Sequence, residues 1–259
     1  MEVVIRSAAA ELGAVAADSI EHLVRTHDAP VLGLATGSSP LPVYAELVRR
    51  HRAGLTFAHV RTFSLDEYVG LPLGHPESYR EVVRRELTAQ LDILDENVHG
   101  PDGASDDVAG AGARYDAAIE AAGGVDLQIL GIGSDGHLAF NEPGSSLVSR
   151  TRVKTLTQQT REDNARFFDS VDDVPHHVLT QGLGTVLEAR HLVLLAAGEA
   201  KAEAVAAMVE GPLSSFCPAS VVQLHPHVTV LLDDAAASRL RLADYYRYAY
   251  DNKPEWQGL

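Results

Sequence analysis

Asp135, His137 and Glu142 lie within eight positions of one another, shortly after an apolar stretch at residues 125–131. Histidine changes charge near neutral pH and acts as a general acid or base, and a neighbouring carboxylate orients its ring and favours the imidazolium. This combination of residue types indicates a proton-transfer site. The alternative is a structural histidine, hydrogen-bonded within a turn in which Gly136 supplies a positive φ.

Asp66 and Glu67 form a pair of adjacent carboxylates after a second apolar stretch, residues 60–65. A carboxylate at the end of a strand can serve as a catalytic base. The ordinary alternative for an isolated pair is that Asp66 caps the element that follows and Glu67 is solvated. The pair therefore indicates a base only in combination with the other loops.

A loop rich in hydroxyls joins a third apolar stretch, residues 31–35, to a helical pattern at residues 39–52. The residues of this loop are Thr36, Gly37, Ser38 and Ser39. Free backbone N–H groups, hydroxyls and the helix dipole attract anions together, so the loop is typical of a phosphate site. The alternative is an ordinary N-cap by Ser38 or Ser39 with Pro40 in the first helical position. No Gly-Lys-Ser/Thr follows, so a nucleotide-binding P-loop is not indicated.

Six basic side chains are candidates to reach a phosphate: Arg150, Arg152, Lys154, Arg161, Arg166 and Lys201. Most surface cations have no such role. Lys201 is the best placed of them, because it follows a strand and opens a helix, as the loop at residues 36–39 does.

Two further patterns resemble cofactor sites but have the wrong context. Residues 131–136 spell the dinucleotide fingerprint, yet Pro143 and Gly144 cut short the helix that must follow it. His225 and His227 precede a strand without a third ligand nearby, and no His-Glu-x-x-His occurs. We therefore expect no metal and no nicotinamide or flavin cofactor.

The order of elements decides whether these loops can meet. Apolar stretches typical of strands occupy residues 3–5, 31–35, 60–65, 127–131, 192–196 and 228–232, and helical spacing occupies residues 39–52, 77–91 and 201–209. This alternation predicts an α/β fold, a three-layer Rossmann-like arrangement of a mostly parallel sheet with helices on both faces. We expect one domain over residues 1–259. Ligands of such sheets bind beyond the carboxyl ends of the strands, where all three loops begin.

Composition excludes several classes of partner. The formal net charge of −15 disfavours binding to nucleic acid or to an anionic membrane, since both rely on clustered Lys and Arg. Cys217 is the single cysteine and cannot form an intrachain disulfide. The first residues show no signal-peptide pattern, and no apolar stretch approaches the roughly 20 residues of a membrane span. We therefore expect a soluble, cytoplasmic protein.

Six motifs in this order and spacing resemble the glucosamine-6-phosphate deaminase family, and they span nearly the whole chain. They are LATGSSP from residue 34, FSLDEYVGL from 63, HPESY from 75, GIGSDGHLAFNEP from 131, SRTRVKT from 149 and QLHP from 223. The resemblance implies an isomerising deaminase, classed as a hydrolase, that acts on an amino sugar phosphate without a redox cofactor. It implies that Asp66 moves a proton between C2 and C1, and that His137, supported by Asp135 and Glu142, opens the pyranose ring.

The same resemblance implies further sites. The phosphate would bind to residues 36–39, Arg166 and Lys201, with Arg166 carried by a mobile lid at residues 156–179. Some relatives are homo-oligomers, hexamers activated by N-acetylglucosamine 6-phosphate, and the positions that match this effector site are Ser145, Ser146, Arg152 and Lys154. The phosphate loop departs from the family's usual Gly-Gly-Thr-Pro and reads Gly-Ser-Ser-Pro at residues 37–40, which keeps a hydroxyl.

Two alternative functions remain open from the sequence. A hydrolase resembling 6-phosphogluconolactonase shares the fold and a phosphate loop but needs no base for a carbon acid, so Asp66 distinguishes the two enzymes. A sugar-phosphate sensor binds without turnover. Sensors of this fold typically carry a DNA-binding segment, and none precedes Val3 here.

Overall fold

The computed structural model describes residues 1–254 and 256–259, without the side chain of Asp163. The strands are β1 Glu2–Arg6, β2 Val31–Leu34, β3 Arg61–Ser64, β4 Asp66–Tyr68, β5 Val98–His99, β6 Leu127–Leu130, β7 Arg152–Thr155, β8 His177–Thr180, β9 His191–Ala196 and β10 Val228–Asp233. The helices are α1 Ala9–Thr26, α2 Leu41–Arg52, α3 Tyr79–Glu86, α4 Val108–Ala121, α5 Gln158–Asn164, α6 Leu183–Val186, α7 Ala202–Glu210 and α8 Ala243–Asp251.

Seven strands form a parallel sheet in the order β1-β10-β9-β6-β2-β3-β5, and helices are packed around it. This confirms the predicted α/β class with a mostly parallel sheet. The inner strands β2, β6 and β9 are buried along their whole length, which explains why their sequences are apolar apart from the buried Gln128 and His191. All six apolar stretches singled out in the sequence form strands of this sheet.

A second, three-stranded antiparallel sheet was not predicted. It has the order β4-β8-β7 and begins with Asp66, which lies opposite Thr180. The chain therefore does not turn into a loop after β3, because Leu65 is followed at once by another strand. Asp66 thus occupies a fixed backbone position in a strand.

The segments predicted to be helical do form helices, but one of these helices is shorter than predicted. The pattern at residues 77–91 gives α3, which ends at Glu86, and a separate 3-10 turn at Thr88–Gln90. The break falls at Leu87, whose φ of −139° is not helical. The Gly, Ala and Asp residues between Gly100 and Gly124 are typical of a loop, but residues 107–122 also fit a helix between two strands, and the structure has helix α4 there.

The expected lid, residues 156–179, contains α5, two 3-10 turns and the first part of β8. A small apolar cluster, separate from the main core, joins Leu156, Val174 and Val178 of this segment to Tyr68 of β4. No helix in the described part of the chain has the length and apolar character needed to cross a lipid bilayer.

Candidate active site

A cavity of about 680 Å³ opens at the carboxyl ends of the central strands. Its walls come from the segments that follow β2, β3, β6 and β9, together with one side of α3 and the lid. The candidate residues that line it are Asp66, His137, Thr36, Gly37, Ser38, Ser39, Arg166 and Lys201. The parallel sheet thus brings loops that are distant in the sequence to one site.

Asp66 is buried, and its Oδ1 atom has no hydrogen-bond partner among the described residues. Burial raises the pKa of Asp66 to about 7, although the Thr180 hydroxyl, the Phe140 N–H and the charge of His137 all oppose the shift. A carboxyl group with this pKa is ionised in a large fraction of molecules at neutral pH and is still basic. This is the electrostatic profile of a general base.

Glu67 points away from the cavity and is buried as well. Its carboxylate accepts hydrogen bonds from the backbone N–H groups of Tyr68, Tyr79 and Arg80 at 2.8–3.0 Å. Tyr79 and Arg80 are the first residues of α3, so Glu67 satisfies N–H groups that a helix start leaves unpaired. The alternative of a solvated Glu67 was therefore wrong, and this residue is structural.

His137 lies between two carboxylates. Its Nδ1 atom is 2.7 Å from Asp135 Oδ1 and 3.6 Å from Glu142 Oε2. Burial alone lowers the pKa of His137, but Asp135 and Glu142 outweigh it, so the pKa is raised. The hydrogen bond with His137 holds the pKa of Asp135 well below its usual range. The imidazole is therefore held ready to accept and return a proton near neutral pH.

Glu142 differs from Asp135 in its surroundings. It is buried, and burial raises its pKa, while the Thr160 hydroxyl and His137 lower it. The Thr160 hydroxyl donates to Glu142 Oε1 at 2.7 Å. The two carboxylates that flank His137 thus have opposite pKa shifts, one favouring the charged form and the other the neutral form.

Two glycines set the position of His137. A Cβ atom at Gly133 would lie 2.3–2.5 Å from three atoms of the imidazole ring, so only glycine leaves room for it. Gly136 has a φ of +86°, and a Cβ atom there would also lie 2.8 Å from Cys217 Sγ. The motif showed these glycines, but their partners could not be read from the sequence.

The loop at residues 36–39 leaves its side chains available to a ligand. Helix α2 begins after Pro40, which occupies the N-cap, and no side chain among the described residues caps it. The alternative of a helix cap by Ser38 or Ser39 was therefore wrong. Both serines line the cavity instead, with the N-terminus of α2 behind them.

The candidate basic residues separate into different places. Arg166 and Lys201 line the cavity, and the Arg166 guanidinium lies 4.7 Å above the Phe167 ring. Arg161 is buried and donates to the carbonyl oxygens of Val171 and Val174, so it holds the lid together. The described residues that line the cavity do not include Ser145, Ser146, Arg150, Arg152 or Lys154.

Asp135, His137 and Glu142 are also the group among the described residues that offers a metal three ligand atoms, all within 4.8 Å of one another. Imidazole and carboxylate are ordinary ligands of divalent metals. The same atoms make the His137 contacts described above.

Aromatic side chains tie the lid to the body of the protein. The Tyr68 ring contacts Tyr79 and Phe140, and Phe168 of the lid meets it edge-on with ring centroids 5.7 Å apart. Asn164 of α5 donates to the Tyr68 hydroxyl at 2.9 Å. Residues 68 and 164 are far apart in the sequence, and no local pattern connects them.

Comparison with known proteins gives consistent matches. A family model described as "Glucosamine-6-phosphate isomerases/6-phosphogluconolactonase" matches residues 5–231. Proteins named glucosamine-6-phosphate deaminase from Arthrobacter sp. (strain FB24) and Rhodococcus opacus (strain B4) are each 65% identical over 100% of both chains.

Solved structures extend the comparison. The structure of a monomeric glucosamine-6-phosphate deaminase is 41% identical, has a TM-score of 0.90, and is matched over 92% of this chain and 100% of its own. A 6-phosphogluconolactonase from Trypanosoma cruzi has a TM-score of 0.75 at 22% identity, covering 93% of this chain and 97% of its own. The second likeness is one of fold.

Proposed function

The chain belongs to the family of glucosamine-6-phosphate isomerases and 6-phosphogluconolactonases, and we infer that it is a glucosamine-6-phosphate deaminase of amino sugar catabolism. The reaction converts D-glucosamine 6-phosphate and water to D-fructose 6-phosphate and ammonia. The observation that carries this inference at the site is the buried carboxylate of Asp66 in the same cavity as His137 and the phosphate loop. The amino sugar can then be held by its phosphate while two proton-transfer groups reach its other end.

His137 is proposed to open the pyranose ring. The imidazole takes the proton of the C1 hydroxyl and returns a proton to the ring oxygen, so the C1–O5 bond breaks and a C1 carbonyl forms. Asp135 Oδ1 lies 2.7 Å from His137 Nδ1, where it orients the imidazole ring and favours its charged form. Glu142 adds a second negative charge. A group that both accepts and donates must have a pKa near the working pH.

Asp66 is proposed to move the proton from C2 to C1. The carboxylate removes the C2 proton while the C1 oxygen takes up a proton, which gives an enolamine. It then returns the proton to C1 while the nitrogen gives up a proton, which leaves an imine at C2. Water then adds to the imine and ammonia leaves, so the overall reaction is hydrolytic. The pKa of about 7 makes Asp66 a stronger base than an exposed carboxylate at the same pH.

The phosphate is proposed to bind at the opposite end of the cavity. Backbone N–H groups and hydroxyls of residues 36–39 lie at the start of α2, where the helix dipole favours an anion. Arg166 and Lys201 bring positive charge from the lid and from the start of α7. Because Arg166 lies in the lid segment, phosphate binding and lid closure are expected to occur together.

The lactone hydrolase of the same fold is the alternative enzyme. It needs no base for a carbon acid, so a buried carboxylate with a raised pKa at position 66 has no part in that reaction. The lactonase among the solved structures compared is only 22% identical, whereas the named deaminases reach 65%. Both comparisons favour the deaminase.

An ammonia-release assay tests the proposal, with glucosamine 6-phosphate and galactosamine 6-phosphate as substrates. We expect ammonia from the wild type, and a loss of roughly 10³-fold or more in Asp66→Asn with sugar-phosphate binding retained. Asp28→Asn, which changes an exposed aspartate, serves as the matched control. Wild-type protein that hydrolyses 6-phosphogluconolactone and releases no ammonia would overturn the proposal.

A second anion site for N-acetylglucosamine 6-phosphate, in a homo-oligomer such as a hexamer, is proposed at Ser145, Ser146, Arg152 and Lys154. Ser145 Oγ is buried without a hydrogen-bond partner among the described residues. Arg152 and Lys154 are two positions apart in β7 and therefore lie on the same face of this strand. Activity measured with and without this effector, while light scattering reports subunit number, tests the site. A monomer whose activity ignores the effector contradicts it.

A further inference from the structure

Thr160 connects the lid to the residues around His137. It lies in α5, and its hydroxyl is 2.7 Å from Glu142 Oε1. The other oxygen of the same carboxylate, Oε2, is 3.6 Å from His137 Nδ1. One carboxylate group therefore contacts a lid helix on one side and the imidazole on the other.

We propose that Thr160 is a positioning residue, which couples the docking of α5 to proton transfer at His137 by holding Glu142 beside the imidazole. This proposal rests on the proposed function, since it assigns a part in the ring-opening step. Thr160 does not touch the reacting atoms in this role. It acts through Glu142.

The hydroxyl of Thr160 has a defined direction. Thr157, the N-cap of α5, accepts from the Thr160 backbone N–H at 3.1 Å, and the two hydroxyl oxygens are 2.8 Å apart. A hydroxyl has one proton to donate, and an ionised carboxylate can only accept. Thr160 therefore gives its proton to Glu142, and Thr157 donates to Thr160. The chain of donors ends on the carboxylate of Glu142 and favours the ionised form of that group.

The same short segment carries the proposed phosphate ligand. Helix α5 continues directly into a 3-10 turn at Ala165–Phe167, which contains Arg166. Asn164, at the end of α5, donates to the Tyr68 hydroxyl. Binding of phosphate by Arg166 and the hydrogen bond from Thr160 to Glu142 therefore depend on one docked position of this segment. Substrate arrival and the state of His137 are thereby linked.

The charged groups around this link fix the direction of its effect. His137 and Glu142 act on each other, and the other charged groups that act on one of them are Asp135, Lys201 and Asp66. Burial raises the pKa of Glu142, and the Thr160 hydroxyl lowers it. Without that hydroxyl, Glu142 is protonated more often, and His137 loses part of the negative charge that raises its own pKa. Removal of the hydroxyl therefore makes His137 less basic.

The test compares Thr160→Val, which keeps the shape and removes the hydroxyl, with Thr160→Ser, which keeps the hydroxyl. We expect kcat to fall roughly tenfold in the Val variant, because a hydrogen bond to a charged group is lost. We also expect the His137 limb of the kcat/KM profile to move to lower pH by about half a unit. The Ser variant should restore both. Thr160→Ala repeats the measurement should Val disturb α5.

Gln158→Ala is the matched control, because Gln158 lies in the same helix and contacts Glu162 on its exposed side. We expect it to leave the pH profile unchanged. Titration of His137 by NMR, in protein without substrate, separates this proposal from the proposed function, since it needs no turnover. Equal His137 titration in the wild type and Thr160→Val overturns the coupling, and so does a Ser variant that behaves like Val. A wild type that releases no ammonia contradicts the deaminase function alone.

Discussion

The role proposed for Asp66 requires an ionised carboxylate where the fold disfavours charge. Its pKa is about 7 in the folded protein, against 3.8 for an ordinary aspartate, because burial penalises the charged form. As the pH rises above 3.8 the unfolded chain releases this proton first, so stability is lost progressively until the pH passes 7. Asp66 is thus a residue at which catalysis and stability conflict.

Asp66→Asn should therefore be more stable than the wild type at pH 8. We expect the melting temperature to rise by a few degrees, since about 1 kcal/mol shifts it by roughly 2–4 °C in a chain of this size. The difference should vanish below about pH 4, where the wild-type side chain is neutral in both states. Thermal unfolding of wild type, Asp66→Asn and the exposed control Asp28→Asn at both pH values measures it. An Asn variant that melts at or below the wild-type temperature at pH 8 contradicts the assigned burial cost.

Gly133 tests the position of His137 without changing any titratable group. In Gly133→Ala the new methyl group meets the imidazole at 2.3–2.5 Å, so the ring must move away from Asp135 and Glu142. We expect kcat to fall by roughly 10²-fold, as misplacement of a reacting group by about 1 Å does. Gly100→Ala is the matched control, since the nearest atom to its new methyl group is 3.9 Å away. Equal activity of the two variants would show that His137 needs no exact placement.

The lid is an element that depends on a few directed contacts. Arg161 has a side chain that is only 7% exposed, and its guanidinium donates to the carbonyl oxygens of Val171 and Val174. These bonds join α5 to the rest of the lid. The apolar cluster that holds Leu156, Val174 and Val178 of this segment is separate from the main core, so we expect the segment to open locally while the seven-stranded sheet stays folded.

Arg161→Leu should loosen the lid selectively. It leaves two backbone carbonyls without their charged donor, at a cost of about 1–3 kcal/mol. We expect KM for the amino sugar phosphate to rise roughly tenfold, and limited proteolysis to cut within residues 156–176. Arg25→Leu, at an arginine paired with Glu21 on the exposed face of α1, is the control. Unchanged proteolysis of the lid would remove Arg161 from this role.

Elements of the main sheet could be predicted from the sequence because their strands are buried on both sides. Residues 192–196 of β9 are all buried, and such a strand shows as an unbroken apolar stretch. The second sheet gives no such signal. Strand β4 has three residues, and β7 alternates half-buried and exposed positions. Short or half-exposed strands take their stability from partners elsewhere in the chain, which a local pattern does not contain.

The residues of the candidate site differ in the same way in whether the sequence could predict them. Asp66, His137 and the loop at residues 36–39 could be found because each lies next to an apolar strand, where an α/β sheet collects its ligands. The residues that hold and polarise these groups could not be found from the sequence. Thr160 meets Glu142 across 18 positions and Asn164 meets Tyr68 across 96, through contacts that exist only once the lid is folded.

At the scale of the whole molecule, the net charge of the chain is negative, whereas part of the cavity is lined by positive groups. The chain has a formal charge of −15, yet Arg166, Lys201 and the start of α2 face the site proposed for a phosphate. Exposed charges are screened within about 8 Å at physiological salt, so these nearby groups dominate the potential that a bound anion meets. An acidic protein can therefore bind an anionic substrate.

The edges of the seven-stranded sheet are β1 and β5, and an uncovered edge strand is prone to pair with other chains. Helix α8 packs against β1. The Tyr250 ring of α8 lies 4.7 Å from the Arg6 guanidinium and 4.6 Å from Lys253 Nζ, and Lys253 pairs with Glu2 at 3.0 Å. The C-terminal part of the chain is thus fastened to the first strand, and this contact closes one side of the fold.

Tyr250→Ala should destabilise the whole molecule, while Tyr248→Ala on the same helix should not. Tyr250 packs against the core and bears two cations on its ring, whereas Tyr248 is 67% exposed. We expect Tyr250→Ala to lower the free energy of unfolding by about 1–3 kcal/mol, and Tyr248→Ala to change it by less than about 0.5 kcal/mol. Denaturant unfolding measures both, and kcat/KM should be unchanged because neither residue lines the cavity. Equal losses in the two variants would show that α8 gains nothing specific from β1.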